Sequence, residues 1–145
     1  MGDTQSYTDA EIRDRLNRCG LKATAQRMRV YAAMCALGHA SADAVYQYLD
    51  GQGRMTMATV YNVLESMTDA GLLVRRPSFG SKMYFDVNTD AHCHLYVEDS
   101  AELIDFCDES LQREVEERVR AQMPAGLQVG RVEIQVLCHR QSHEV

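Results

Sequence analysis

A chain of 145 residues, 46% hydrophobic and 25% charged, has the composition of one globular domain or two small lobes and not of a disordered chain. Five Cys, odd in number and scattered at 19, 35, 93, 107 and 138, exclude a secreted disulfide scaffold. No apolar h-region opens the sequence and no membrane-length apolar run occurs, so a cytoplasmic protein that does not meet the membrane is expected.

The net charge of −6 argues against a nucleic-acid binder, but residues 1–80 sum to +1 and residues 81–145 to −7. Two lobes with different tasks follow, and the first is free to carry a DNA-facing patch. In chain order, Thr8 with Glu11 has capping-box spacing and predicts a helix running to Gly20. Thr24 caps a second helix with Met28, Tyr31, Ala32, Cys35 and Ala36 on one face, stopped by Gly38. Ser41 starts a third, with Ala44, Val45, Tyr48 and Leu49 facing inward, and His39 reads as a loop residue before it. Thr56 caps a fourth whose apolar stripe is Val60, Val63, Leu64 and Met67, ended by Gly71. The period then changes to two: residues 72–76 and 82–87 read as strands around the turn Pro77–Ser81. Helices followed by such a hairpin make a winged helix-turn-helix, although a short helix bundle with a hairpin gives the same pattern.

After the polar triplet Asn88-Thr89-Asp90, residues 92–97 and 103–106 read as strands joined by an acidic turn. Asp108 caps a helix with Leu111, Val115 and Val119 every four residues, and Val132, Ile134, Val136 and Cys138 alternate as a final strand. The predicted class is α+β, with a winged-helix DNA-binding domain over residues 1–87 and a small α/β lobe over 88–145. So small a core calls for a partner surface, and dimerisation is the economical solution. Within the second lobe, His92 and His94 lie on one face of a strand, with Asp86 just before it and Asp105 on the next strand. Imidazoles and carboxylates at this density suit a divalent metal, while an isolated H-x-H more often marks two ordinary histidines. No C-x-x-C pair exists for a Cys₄ zinc site.

The segments His39-Ala-Ser-Ala-Asp-Ala-Val-Tyr-Gln-Tyr-Leu, Ala58-Thr-Val-Tyr-Asn-Val-Leu-Glu, Ala70-Gly-Leu-Leu, Tyr84-Phe-Asp86 and His92-Cys-His94 together resemble the ferric uptake regulator family. The resemblance implies a dimeric, metal-dependent repressor that binds operator DNA and is not an enzyme. It places the regulatory metal, Fe²⁺ or Mn²⁺ with Zn²⁺ as a further candidate, on His39, Asp86, His92, His94 and Asp105. In the family His39 would come from the DNA-binding lobe and the rest from the hinge and dimerisation lobe, so the metal acts as a latch between lobes. Asp105, where iron-uptake members more often carry Glu, and Asn62, where they carry Arg, resemble the peroxide-sensing branch, in which oxidation of a ligand His releases the DNA. The alternatives are an iron- or manganese-responsive uptake regulator and, from another class, a non-haem iron enzyme using His92, His94 and a carboxylate.

The sequence departs from the family where it usually carries its structural zinc, because Val97 and Ser100 stand in place of one Cys pair and Cys138 lacks a partner. Ala91 and Cys93 also replace ligands of another common metal site. No role is read for Cys107; Cys138-His139 and His143 offer donors for a site of their own, against which the preferred reading is a mobile C-terminal tail. The implied recognition helix carries Thr59, Tyr61 and Asn62 on its polar face, Asn being suited to a bidentate pair with adenine. Arg27, Arg54, Arg75 and Arg76 are the candidate phosphate contacts.

Overall fold

Hydroxyl side chains start the first four helices by accepting from backbone N–H groups that have no partner inside the helix. Thr8 caps α1 (Asp9–Arg18), and its Oγ1 accepts from the Glu11 N–H while the Glu11 carboxylate accepts from the Thr8 N–H. The Thr24, Ser41 and Thr56 hydroxyls accept from the N–H groups of Arg27, Ala44 and Thr59 to cap α2 (Ala25–Leu37), α3 (Ala42–Tyr48) and α4 (Met57–Asp69). Strands β1 (His39–Ser41), β2 (Val74–Pro77) and β3 (Met83–Asp86) form an antiparallel sheet in the order β1-β3-β2. This computed structural model describes residues 6–50, 55–90, 93–106 and 108–142.

The chain divides into two compact units: residues 1–77 with 81–89, and residues 78–80 with 90–145. In the first, Leu16, Val30, Met34, Val60, Leu64 and Met67 are wholly buried between the helices. Phe85 from β3 covers the same core. Tyr31 and Cys35 are buried there too, and burial pushes the Tyr31 phenol up to about 12 and the Cys35 thiol upward. Both stay neutral near neutrality, which makes Cys35 a packing residue with little nucleophilic character. The Tyr31 contribution to stability is full below its ordinary value of 10.0 and is lost as pH rises toward about 12.

The second unit consists of β4 (Cys93–Val97), β5 (Glu102–Phe106), α5 (Glu109–Ala121) and β6 (Ile134–Cys138). The sheet order is β5-β4-β6: β4 and β5 pair antiparallel, whereas β6 pairs parallel to β4. A parallel pair needs a long crossover, and α5 supplies it. Asp108 caps this helix, accepting from the Leu111 N–H. Leu111 and Val115 are only half-buried, and Ile104, Phe106, Val119, Val136 and Leu137 are exposed. Among the described residues, no helix is long and apolar enough to cross a membrane.

Several local readings are corrected. His39 lies on a strand rather than in a loop, and β2 begins at Val74, two residues later than the apolar run implied. Leu72 and Leu73 instead plug the core after α4. On α2, Ala33 and Met34 turn inward while Ala32 is exposed, and Tyr48 of α3 is 47% exposed.

Candidate metal centre

Each unit pairs one His with one Asp across neighbouring strands. In the first, the β1–β3 register sets His39 directly opposite Asp86. The His39 ring is half-buried and meets Tyr84 edge-on, with centroids 6.2 Å apart. Asp86 is only 2% exposed. Its Oδ2 accepts from Arg76 Nε at 2.7 Å and its Oδ1 from the Asn88 N–H at 2.9 Å.

In the second unit, the β4–β5 register sets His94 directly opposite Asp105. His94 is fully buried, and its Nε2 lies 3.0 Å from Asp105 Oδ1. Beside it, the buried Cys93 thiol points to Gln112 Oε1 at 3.7 Å, while the Gln112 amide donates to Glu116 and to the Val132 carbonyl at 2.9 Å each. Cys93 is thus tied into α5 packing. His92 and Arg54 lie outside the described residues, as do Cys107 and His143.

Chemically, each pair presents imidazole nitrogen and carboxylate oxygen side by side, a donor set that fits Fe²⁺, Mn²⁺ or Zn²⁺. An ionised carboxylate at 2% exposure needs a cation, and Arg76 is the resident one in the first unit.

At the positions expected to lack the structural zinc ligands, Val97 at the end of β4 stands opposite Cys138 on β6. Beyond them the backbone N–H of Arg140 donates to Asp99 at 2.6 Å, and its guanidinium meets Glu102 at 3.0 Å. His139 Nδ1 lies 3.1 Å from Glu98. These exposed pairs contribute about 0–1 kcal/mol each. Protein purified and treated with EDTA is therefore expected to retain little zinc. Stoichiometric zinc surviving that treatment, measured by atomic emission, would show that other residues form such a site.

On α4, Tyr61 and Asn62 are exposed, with the Tyr61 ring edge-on to Phe85 at 6.4 Å. The Thr59 hydroxyl lies 3.0 Å from that of Thr56, next to the cap. Arg27 donates to the Lys22 carbonyl at 3.0 Å, and Arg75 forms a two-pronged ion pair with Glu65 of α4. Arg76 is withdrawn from the candidate phosphate contacts. Its side chain is 0% exposed and faces inward to Asp86, so it cannot reach a phosphate. The missed signal was alternation along β2, which puts Arg76 on the face opposite Arg75.

A family model described as the Ferric uptake regulator family matches residues 18–135. The ferric uptake regulation protein of Vibrio anguillarum is 35% identical over 117 residues, which cover 74% of this chain and 77% of that protein. The ferric uptake regulator from Pseudomonas aeruginosa, solved with manganese, superposes with a TM-score of 0.70 at 29% identity, covering 88% of this chain and 96% of that one. That of Vibrio cholerae gives 0.73 at 27% identity, covering 88% and 98%. A winged-helix DNA-binding domain followed by a small α/β dimerisation domain defines a metal-responsive transcription regulator. The chain belongs to the ferric uptake regulator family, and the non-haem iron enzyme alternative falls with that assignment.

Proposed function

We propose that the chain is a homodimeric repressor in which both His–Asp pairs share one divalent ion, so that metal binding selects the arrangement of the two units that fits operator DNA. The observation that carries this reading is the duplication of one motif: each unit supplies a single cross-strand His–Asp pair. His39, Asp86, His94 and Asp105 would hold the metal, with His92 as a fifth ligand. Fe²⁺ or Mn²⁺ suits this donor set, with Zn²⁺ as a further candidate. The ion supplies Lewis-acid charge that a sheet-borne pair of each unit can satisfy, and the protein's own residues do the rest. The regulator acts in the cytoplasm, where its operator lies.

On the DNA side, α4 enters the major groove with Thr59, Tyr61 and Asn62, while Arg27, Arg54 and Arg75 meet phosphates. The exposed apolar side chains of β5, β6 and α5 support a second copy as the partner of the second unit. Asn62→Arg is expected to change operator preference and leave dimerisation and metal affinity intact. Loss of a bidentate Asn–adenine pair costs about 1–3 kcal/mol at the preferred base. A uniform fall on all DNA sequences in a binding-site selection would remove Asn62 from base reading.

The finer reading is peroxide sensing, supported by Asp105 and Asn62 at the positions where they resemble that branch. In it, His39, His92 or His94 would gain one oxygen atom from H₂O₂, which is reduced and leaves its other oxygen as water, and the oxidised ring would cease to be a ligand. The names of the curated relatives favour a second reading, an iron-responsive uptake regulator without oxidation. Peptide mass spectrometry of Fe²⁺-loaded protein before and after H₂O₂ separates them. A gain of one oxygen on a ligand His, coupled to loss of operator binding, supports peroxide sensing. An unmodified set of ligands with retained DNA binding supports iron sensing.

A further inference from the structure

We infer that Arg76 is the resident counter-cation of Asp86 and, by holding that carboxylate in competition with the metal, sets the metal concentration at which the regulator responds. The inference rests on the reading of Asp86 as a metal ligand. Three contacts fix the arrangement: Arg76 Nε donates to Asp86 Oδ2 at 2.7 Å, Arg76 Nη2 donates to the Asn88 carbonyl at 2.8 Å, and the Asn88 N–H donates to Asp86 Oδ1 at 2.9 Å. Asp86 is thereby oriented and neutralised by groups of its own unit. Both ends of the pair are buried, at 0% and 2% exposure, so solvent screens little of the interaction.

Guanidinium is a telling choice at this position. It does not lose its proton in proteins, so an arriving divalent ion meets a permanent positive charge beside its carboxylate ligand. A His there could relieve the repulsion by deprotonating, and an uncharged residue would leave a buried anion with no cation beside it until the metal arrives. The first unit can therefore fold without metal, and the metal must displace or share an existing ion pair. The consequence is a weaker, tunable affinity in place of a permanently filled site.

Mn²⁺ binding to the full-length protein, followed by chelator competition, tests this in wild type, Arg76→Gln, Arg76→Lys, Asp86→Asn and the Arg76→Gln/Asp86→Asn double variant. Arg76→Gln keeps an amide donor and removes the charge, and it is expected to bind Mn²⁺ at least about tenfold more tightly than wild type. Arg76→Lys, which restores the charge, is expected to return to within a factor of about three of wild type. In the Asp86→Asn background the Gln substitution should change nothing. Should Arg76→Gln not fold, Arg76→Met repeats the comparison, and the rise in thermal midpoint on Mn²⁺ addition should exceed that of wild type. An Arg76→Gln or Arg76→Met protein with wild-type or weaker Mn²⁺ affinity, while Asp86→Asn loses affinity, overturns the role of Arg76 alone. Wild-type Mn²⁺ affinity in Asp86→Asn would overturn both the inference and the ligand assignment beneath it.

Discussion

In a His39→Ala protein, operator affinity is expected to be the same with and without Mn²⁺. The substitution removes half of the first unit's pair and leaves Asp86 with Arg76 and the Asn88 N–H. His94 and Asp105, paired in register in the second unit, would still offer an ion one imidazole and one carboxylate. What disappears is the preference of that ion for the DNA-competent arrangement, and a metal with equal affinity for both arrangements shifts neither. Allosteric couplings typically amount to about 1–3 kcal/mol, so wild type should bind its operator roughly 5–150-fold more tightly with Mn²⁺. Linkage is reciprocal: operator DNA should tighten Mn²⁺ binding by the same factor in wild type and not at all in the variant. Fluorescence anisotropy with labelled operator reads both. A His39→Ala protein that keeps the full metal-dependent gain would remove His39 from the latch.

The largest effect on stability is expected from Asp86→Ala in metal-free protein. Arg76 would be left as a charged guanidinium at 0% exposure beside a truncated partner. Breaking a buried ion pair from one side costs about 3–5 kcal/mol, because the remaining charge keeps its desolvation penalty. The exposed Arg18–Asp14 pair of α1 is the contrast, with side chains 78% and 57% exposed. Its removal through Asp14→Ala should cost no more than about 0.5 kcal/mol. Urea unfolding of both variants checks the pair. A loss below about 1 kcal/mol in Asp86→Ala would mean that Arg76 finds another acceptor or reaches water.

The difference between these two ion pairs also marks how far the sequence was readable. Caps are local, so Thr8, Thr24, Ser41 and Thr56 each announced a helix that the structure contains. The α4 stripe of Val60, Leu64 and Met67 announced its buried face for the same reason. On α2 the buried residues Val30, Tyr31, Ala33, Met34 and Cys35 cover a broad face, so periodicity chose one that was rotated and took in the exposed Ala32. Strand β1 has three residues, too short for any alternation to show, and its existence depends on β3 passing alongside. His39 therefore entered through family resemblance alone. His94 and Asp105 were closer to legible, because a short hairpin fixes its own register. Arg76 was misread because an Arg in a wing looks like surface charge until its neighbour's direction is known. Burial of a charge is a tertiary event, settled here by a carboxylate ten residues away in sequence.

Crystals of the Mn²⁺-loaded protein, with anomalous data collected at the manganese edge, give the most direct test that the two His–Asp pairs form one centre. One anomalous peak per chain is predicted, bonded to His39 and Asp86 from the first unit and to His94 and Asp105 from the second. Its bonds should lie at the distances ordinary for nitrogen and oxygen ligands. A peak bound by residues of one unit only, or separate ions on the two pairs, would contradict a metal latch between them.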